Sequence, residues 1–281
     1  MKIQLFLLSF LFSSLGIAQF NPSEDWFSLD GFFESELIQR KNIRFITIYK
    51  SDKKDNQAFQ RENKFLHFAF STEGKLLESR KFIELSGRTD TSTYTFKYEG
   101  SRLTSRTENE GPFCFSYTFG WLNDSTIQET KIDEKTSDTN YIHHITVQQE
   151  TSLKKKYTHY NSIGRPMKFQ WISEDALGNV IAERYSYSRS LSFVVDSFSY
   201  NGNLLINRLT WNTIGVQKRT VWEFTHENGM LDFIKEVDDG ELVAKFAILY
   251  NDNQLIKSIV KRNVKEKTIS IYRVEYNYYP I

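Results

Sequence analysis

From residue 43 onward, apolar and polar side chains alternate in short runs, and each run stops at a turn signal. An aromatic residue closes a run, a turn containing Gly or Asn follows, and Leu or Met opens the next. The phrase appears with Phe70, Gly74 and Leu76, with Tyr98, Gly100 and Leu103, and with Tyr160, Gly164 and Met167. It returns with Tyr200, Gly202 and Leu204, with Phe224, Gly229 and Met230, and with Tyr250, Asn251 and Leu255. Alternation at period two marks strands with one packed face, and Asn-Gly or Asp-Gly supplies the positive φ that a tight hairpin turn requires. Recurrence of the whole phrase marks a repeat-built sheet.

The runs predict strands over 43–49, 64–70, 75–83, 93–97, 102–107, 113–119, 125–132, 141–149 and 155–160. Further strands are predicted over 165–172, 180–187, 192–200, 204–211, 216–225, 230–237, 241–250, 255–262 and 268–278. Residues 52–60 read as a polar loop. One helix is predicted over 28–39, where Leu29, Phe32, Phe33, Leu37 and Ile38 recur at helical spacing. No helical crossover is left to return a parallel strand, so the fold class is all-β, a long antiparallel meander of hairpin repeats with one short N-terminal helix. Over 241–250 the Leu242, Ala244, Phe246, Ile248 and Tyr250 face is apolar and the other mixes charge with aliphatics, as in a sheet solvated on one side.

The first 18 residues read as a signal peptide. Lys2 gives a positive start, residues 3–15 are largely apolar, and Gly16-Ile17-Ala18 offers small residues for cleavage after Ala18. The expected location is exported: periplasm, cell surface or medium. That leaves residues 19–281 as one β domain, with a helix-and-strand cap over about 23–60 and hairpin repeats over about 64–278. Neither the leader nor the rest of the sequence offers a transmembrane helix. Cys114 is the only cysteine, so no internal disulfide can form. Without Lys2 the 36 basic side chains become 35 against 35 acidic ones, and such a balanced chain gives no footprint for nucleic acid. Lys154, Lys155 and Lys156 form the one short basic patch, read as a solvated turn or a guarded edge.

The residues around two of these turns resemble the tyrosine–aspartate (YD, or RHS) repeat. Tyr94-Thr-Phe96-Lys-Tyr98-Glu-Gly100-Ser-Arg102-Leu103-Thr104 is one copy. Tyr157-Thr-His159-Tyr160-Asn161-Ser-Ile-Gly164-Arg165-Pro-Met167 is the other, with Asn161 in place of the Asp and Met167 in place of a Leu. The resemblance implies a continuous antiparallel sheet on a small exported bacterial protein.

Candidate chemistry is sparse. His143 and His144 are adjacent on a strand and point to opposite faces, and His67, His159 and His226 stand apart from them, so no metal set is predicted. Asp238-Asp239-Gly240 reads as turn chemistry, Cys114 as a buried inert thiol, and no nucleophile elbow, P-loop or calcium loop is present. No catalytic residues and no cofactor are predicted. Trp171, Trp211 and Trp222 are the binding candidates: facing outward on neighbouring strands, they would make a flat platform for sugar rings or a partner protein. The sequence therefore points to an exported, non-catalytic binding or structural module with a protein or carbohydrate partner. The alternatives are an outer-membrane β-barrel, against which Lys245, Arg273 and Glu275 place charge within strands, and a secreted hydrolase.

Overall fold

The computed structural model describes residues 35–85 and 88–280. The expected signal peptide, its cleavage site and residues 28–34 of the expected helix lie outside them. Helix α1 (Ser35–Arg40) buries Ile38 and ends where Asn42 takes φ 55° and donates its N–H to the Gln39 carbonyl at 2.9 Å. Among the described residues eighteen antiparallel strands follow in one sheet.

They are β1 (Ile43–Lys54), β2 (Asn63–Phe70), β3 (Leu76–Leu85), β4 (Arg88–Glu99), β5 (Arg102–Glu110), β6 (Phe113–Asn123), β7 (Thr126–Asp133), β8 (Thr139–Thr151) and β9 (Lys154–Tyr160). The chain goes on through β10 (Pro166–Glu174), β11 (Val180–Tyr187), β12 (Phe193–Asn201), β13 (Leu204–Asn212), β14 (Lys218–Glu227), β15 (Met230–Asp238), β16 (Glu241–Tyr250), β17 (Ile256–Asn263) and β18 (Thr268–Tyr278). Consecutive strands are neighbours, as the meander predicts, and β1 pairs with both β2 and β18. The pairing order thus returns to its first strand. The expected loop at 52–60 starts late because Asp52, Lys53 and Lys54 continue β1 against Ser270, Ile269 and Thr268.

Two turn geometries explain the recurring phrase. In four turns the first residue is Ser71, Asn161, Asp175 or Asn251, and its side-chain oxygen accepts from the backbone N–H two and four residues on. In each, that residue's own N–H donates to the carbonyl four residues ahead, at 2.8–2.9 Å. The side chain stands in for a backbone turn, which is why Ser, Asn and Asp occupy the position. The fourth residue takes positive φ: Gly74 at 77°, Gly164 at 74°, Gly178 at 86° and Gln254 at 61°. Other hairpins are tight two-residue turns, such as Asn228-Gly229 at φ 51° and 78° and Asp239-Gly240 at 46° and 88°.

Beyond many turns the register slips by one residue. Tyr98 pairs with Leu103 but Lys97 with Ser105, and Phe70 pairs with Leu76 but Ala69 with Glu78. Each slip is a bulge that lets the residue opening the strand share the packed face with the aromatic that closed the last one. Leu76 and Leu103 are both buried there.

The described residues fall into two compact units, one of 92–198 with 210–217 and one of 35–91, 199–209 and 218–280. The second has the drier core: Ile46, Ile48, Phe68, Ile234, Phe246, Ile248 and Ile259 are almost wholly enclosed on one face of their strands. Ile46 stands opposite Phe68 and Tyr276, Phe246 opposite Ile234, and Ile259 opposite Ile248 and Tyr272. Gly74 belongs here too. A Cβ on it would lie 2.1 Å from the Ser35 carbonyl oxygen, so the turn after β2 seats against the first residue of α1 only as glycine.

Candidate functional site

In the first unit the packed face mixes apolar and polar side chains. Phe96, Leu103, Tyr117, Tyr157, Ile172 and Val194 are buried in it beside Lys155, Gln170 and Asp196. The polar groups are paired across strands. Tyr117 donates to Glu108 and Tyr141 to Glu129, each at 2.9 Å, Tyr94 donates to Glu110, and Thr210 donates to Asp196. Lys155 reaches Glu174 at 2.9 Å and Gln170 reaches Glu183 at 2.6 Å. Six carboxylates on this face therefore accept hydrogen bonds from neighbouring strands, which holds register in a half-dry environment.

Burial leaves its mark on the titration of this face. It raises the Tyr94, Tyr117, Tyr141 and Tyr157 hydroxyls, and it holds the His159 ring down at about 4, helped by the Lys168 charge. Burial also lowers Lys168 itself. His143 stacks on Tyr141 with ring centres 3.9 Å apart and faces Glu129, while His144 sits opposite Gln128 on the other face. Among the described residues no group of three His, Cys, Asp or Glu side chains could hold a metal ion.

The less buried face of β9–β13 carries the feature with binding chemistry. Lys156 stands opposite Trp171, and Trp171 stands opposite Arg184. Phe193 lies opposite Ser186, two residues along from Arg184 and on its face. The Lys156 ammonium lies 5.3 Å from the Phe169 ring centre and 5.7 Å from that of Trp171. The Arg184 guanidinium carbon lies 5.7 Å from Trp171 and 5.0 Å from Phe193. Trp211 closes the row, its ring edge-on to Phe193 at 5.2 Å, with 43% of the residue exposed. Cations and rings thus alternate across β9–β12 within cation–π reach, and an aromatic pair extends the row to β13. Neither Lys156 nor Arg184 has an ion pair among the described residues.

The structure brings together two of the three expected tryptophans. Trp171 and Trp211 share the strip, whereas Trp222 is 5% exposed and packs in the second unit's core, 6.4 Å from Phe246. The reason is period two: Thr220, Trp222 and Phe224 share the buried face, and Arg219, Glu223 and Thr225 take the solvated one. Glu223 beside Trp222 was the signal that could have placed it.

The lysine patch is also corrected. It is neither a turn nor an edge but the start of β9, paired on both sides. Lys154 meets Glu150 at 3.0 Å, Lys155 turns inward to Glu174, and Lys156 joins the strip. Cys114 is half-buried rather than enclosed, because it shares the Ser116 and Thr118 face while Tyr117 points inward. Lys156, Phe169, Arg184 and Phe193 went unnoticed in the sequence. Strand register alone puts them in one row, and no single-strand pattern reports register.

No protein-family model and no curated protein matches the chain. Among solved structures it is similar to a porin-like protein from Bacteroides uniformis ATCC 8492, with TM-score 0.41 and 11% identity over 84% of this chain and 98% of that one. A porin-like protein from Bacteroides vulgatus ATCC 8482 follows at TM-score 0.28 and 8% identity, over 83% and 98% of the two chains. LolA superfamily protein NE2245 from Nitrosomonas europaea gives TM-score 0.19 and 8% identity, over 89% and 95%.

Proposed function

We propose that the protein is an exported, non-catalytic binding module working in an aqueous compartment, and that the strip on β9–β13 grips carbohydrate bearing carboxylate groups. One observation carries the reading: Lys156 and Arg184 alternate with Phe169, Trp171, Phe193 and Trp211 without acidic partners among the described residues. A sugar ring offers a flat C–H face to an indole, and its carboxylate takes two parallel hydrogen bonds from a guanidinium. Calorimetric titration with polygalacturonate oligomers, with neutral dextran as comparison, tests this. Binding to the acidic oligomer alone is expected, weakened about tenfold or more in Arg184→Gln and Trp171→Ala. Equal binding of dextran, or unchanged affinity in both variants, contradicts it.

A second reading, an outer-membrane β-barrel, is favoured by β1 pairing with both β2 and β18, since a spanning sheet must satisfy every backbone group within itself. The row Glu223, Lys235, Lys245 and Arg262, opposite one another across β14–β17 on the less buried face, favours water. A cation facing lipid at mid-bilayer costs about 2–4 kcal/mol. The need for detergent separates the two readings.

A further inference from the structure

That same charged row ends in a second site, unrelated to the strip. Lys235 is neutralised by Glu223 at 3.2 Å. The next two cations have no such partner: Lys245 stands between Lys235 and Arg262, directly opposite both, and neither Lys245 nor Arg262 has an ion pair among the described residues. Like charges placed opposite each other across a ladder oppose folding, so the uncompensated Lys245 and Arg262 call for an anion from outside.

A pocket of about 340 Å³ opens at this point, lined by Asp55, Leu242, Lys245, Arg262, Val264 and Lys267. The fold builds it from several elements. The bulge at Val243 puts Leu242 opposite Val237, on the Lys245 face, and Asp55 is tied to the turn by its N–H bond to the Lys267 carbonyl at 2.9 Å. Lys267 is fixed at φ 54° in that turn.

We propose that this pocket binds a phosphate monoester, a dianion carried on an organic body. Three cations against the one carboxylate of Asp55 leave a surplus of two positive charges, matching a dianion. Arg262 supplies the fork of parallel donors such oxygens accept, and Lys245 and Lys267 supply point charges. Leu242 and Val264 give an apolar wall to the carbon skeleton behind the anion.

Thermal unfolding of the full chain in low-salt buffer, with inorganic phosphate or sodium sulfate added against chloride at equal ionic strength, tests the proposal. The expected result is a rise in Tm of roughly 2 °C with the dianion beyond that with chloride. The rise is lost in Arg262→Gln and in Lys245→Gln, and kept in Lys265→Gln, which removes a nearby charge outside the pocket. Each pocket variant is also expected to melt higher than wild type when no dianion is present, because it relieves the repulsion. A response no greater than that to chloride, or one that survives both pocket variants, overturns the site. Sulfate acting without phosphate also overturns the assignment, since a sulfate ester carries only one negative charge.

Discussion

Trp171 and Arg184 stand directly opposite each other across β10 and β11, with the guanidinium carbon 5.7 Å from the indole ring centre. Their relation is set by backbone register, and it joins an aromatic surface to a cation in a geometry that neither side chain could hold alone. Trp222 occupies a comparable mid-strand position on β14 and does the opposite work, filling a core.

The contrast gives a stability test. Trp222→Ala removes a nearly enclosed indole beside Phe246 and is expected to cost about 3–5 kcal/mol. Trp211→Ala, at 43% exposure, is expected to cost less than about 1 kcal/mol. Urea unfolding of both variants measures the difference, and similar costs would mean that the strip is core after all.

The four side-chain-capped turns make a second test. Gln254 takes φ 61° where the other three have glycine. Gln254→Gly is expected to stabilise by about 0.5–1 kcal/mol, because a side chain in the left-handed region costs roughly 1–2 kcal/mol and glycine returns part of that through its looser unfolded state. Gly74→Ala is expected to destabilise by about 2 kcal/mol or more, since its Cβ would meet the Ser35 carbonyl. Denaturant midpoints of the two variants should move in opposite directions.

Much of this was legible in the sequence. The strands, their turns and the Ala244, Phe246 and Ile248 face of β16 follow from alternation and from Asn, Asp and Gly placement, whereas Leu242, expected on that face, crosses to the Lys245 side at the bulge. The bulges were not legible, because an inserted residue leaves the apolar pattern on either side intact and only shifts which partner it meets. The strip was half legible for the same reason: Trp171 and Trp211 stand out by type, whereas Lys156 and Arg184 matter only through what they face. Lys154, Lys155 and Lys156 show the limit most clearly, since three identical neighbours go to an acidic surface partner, a buried ion pair and an aromatic row.

Glu236 and His159 give pH dependences of opposite sign. Burial lifts Glu236 from its ordinary value of 4.5 to about 7, with Asp238 raising it and Lys261 and Lys218 lowering it. The folded state therefore favours the neutral acid, and its contribution is present below about pH 4.5 and lost as pH rises through 7. His159, held at about 4 by burial and Lys168, does the reverse, with stability lost as pH falls from 6.5 towards 4. Allowing for solvent screening, each effect is about 1–2 kcal/mol. Glu236→Gln should gain stability at pH 8 and little at pH 4.5, and His159→Gln should flatten the acid limb. Melting temperatures across pH 4–8 check both.

Lys155 and Glu174 test the inner face of the first unit. Lys155→Met leaves a mostly buried carboxylate without its 2.9 Å partner and is expected to cost about 3 kcal/mol. Adding Glu174→Leu should recover most of that loss, because removing both charges removes the desolvation cost as well. A double variant no better than the single one would mean that the pair itself contributes the stability.

The most direct test of the aqueous reading is fractionation of the expressing bacterium, with the envelope washed first in high salt and then in detergent. Recovery of the folded protein in the periplasm, the medium or the salt wash is the expected result, because in the second unit the buried face is apolar and the less buried face carries the row from Glu223 to Arg262. Retention in the outer membrane until detergent is added would contradict it and make the barrel the working function.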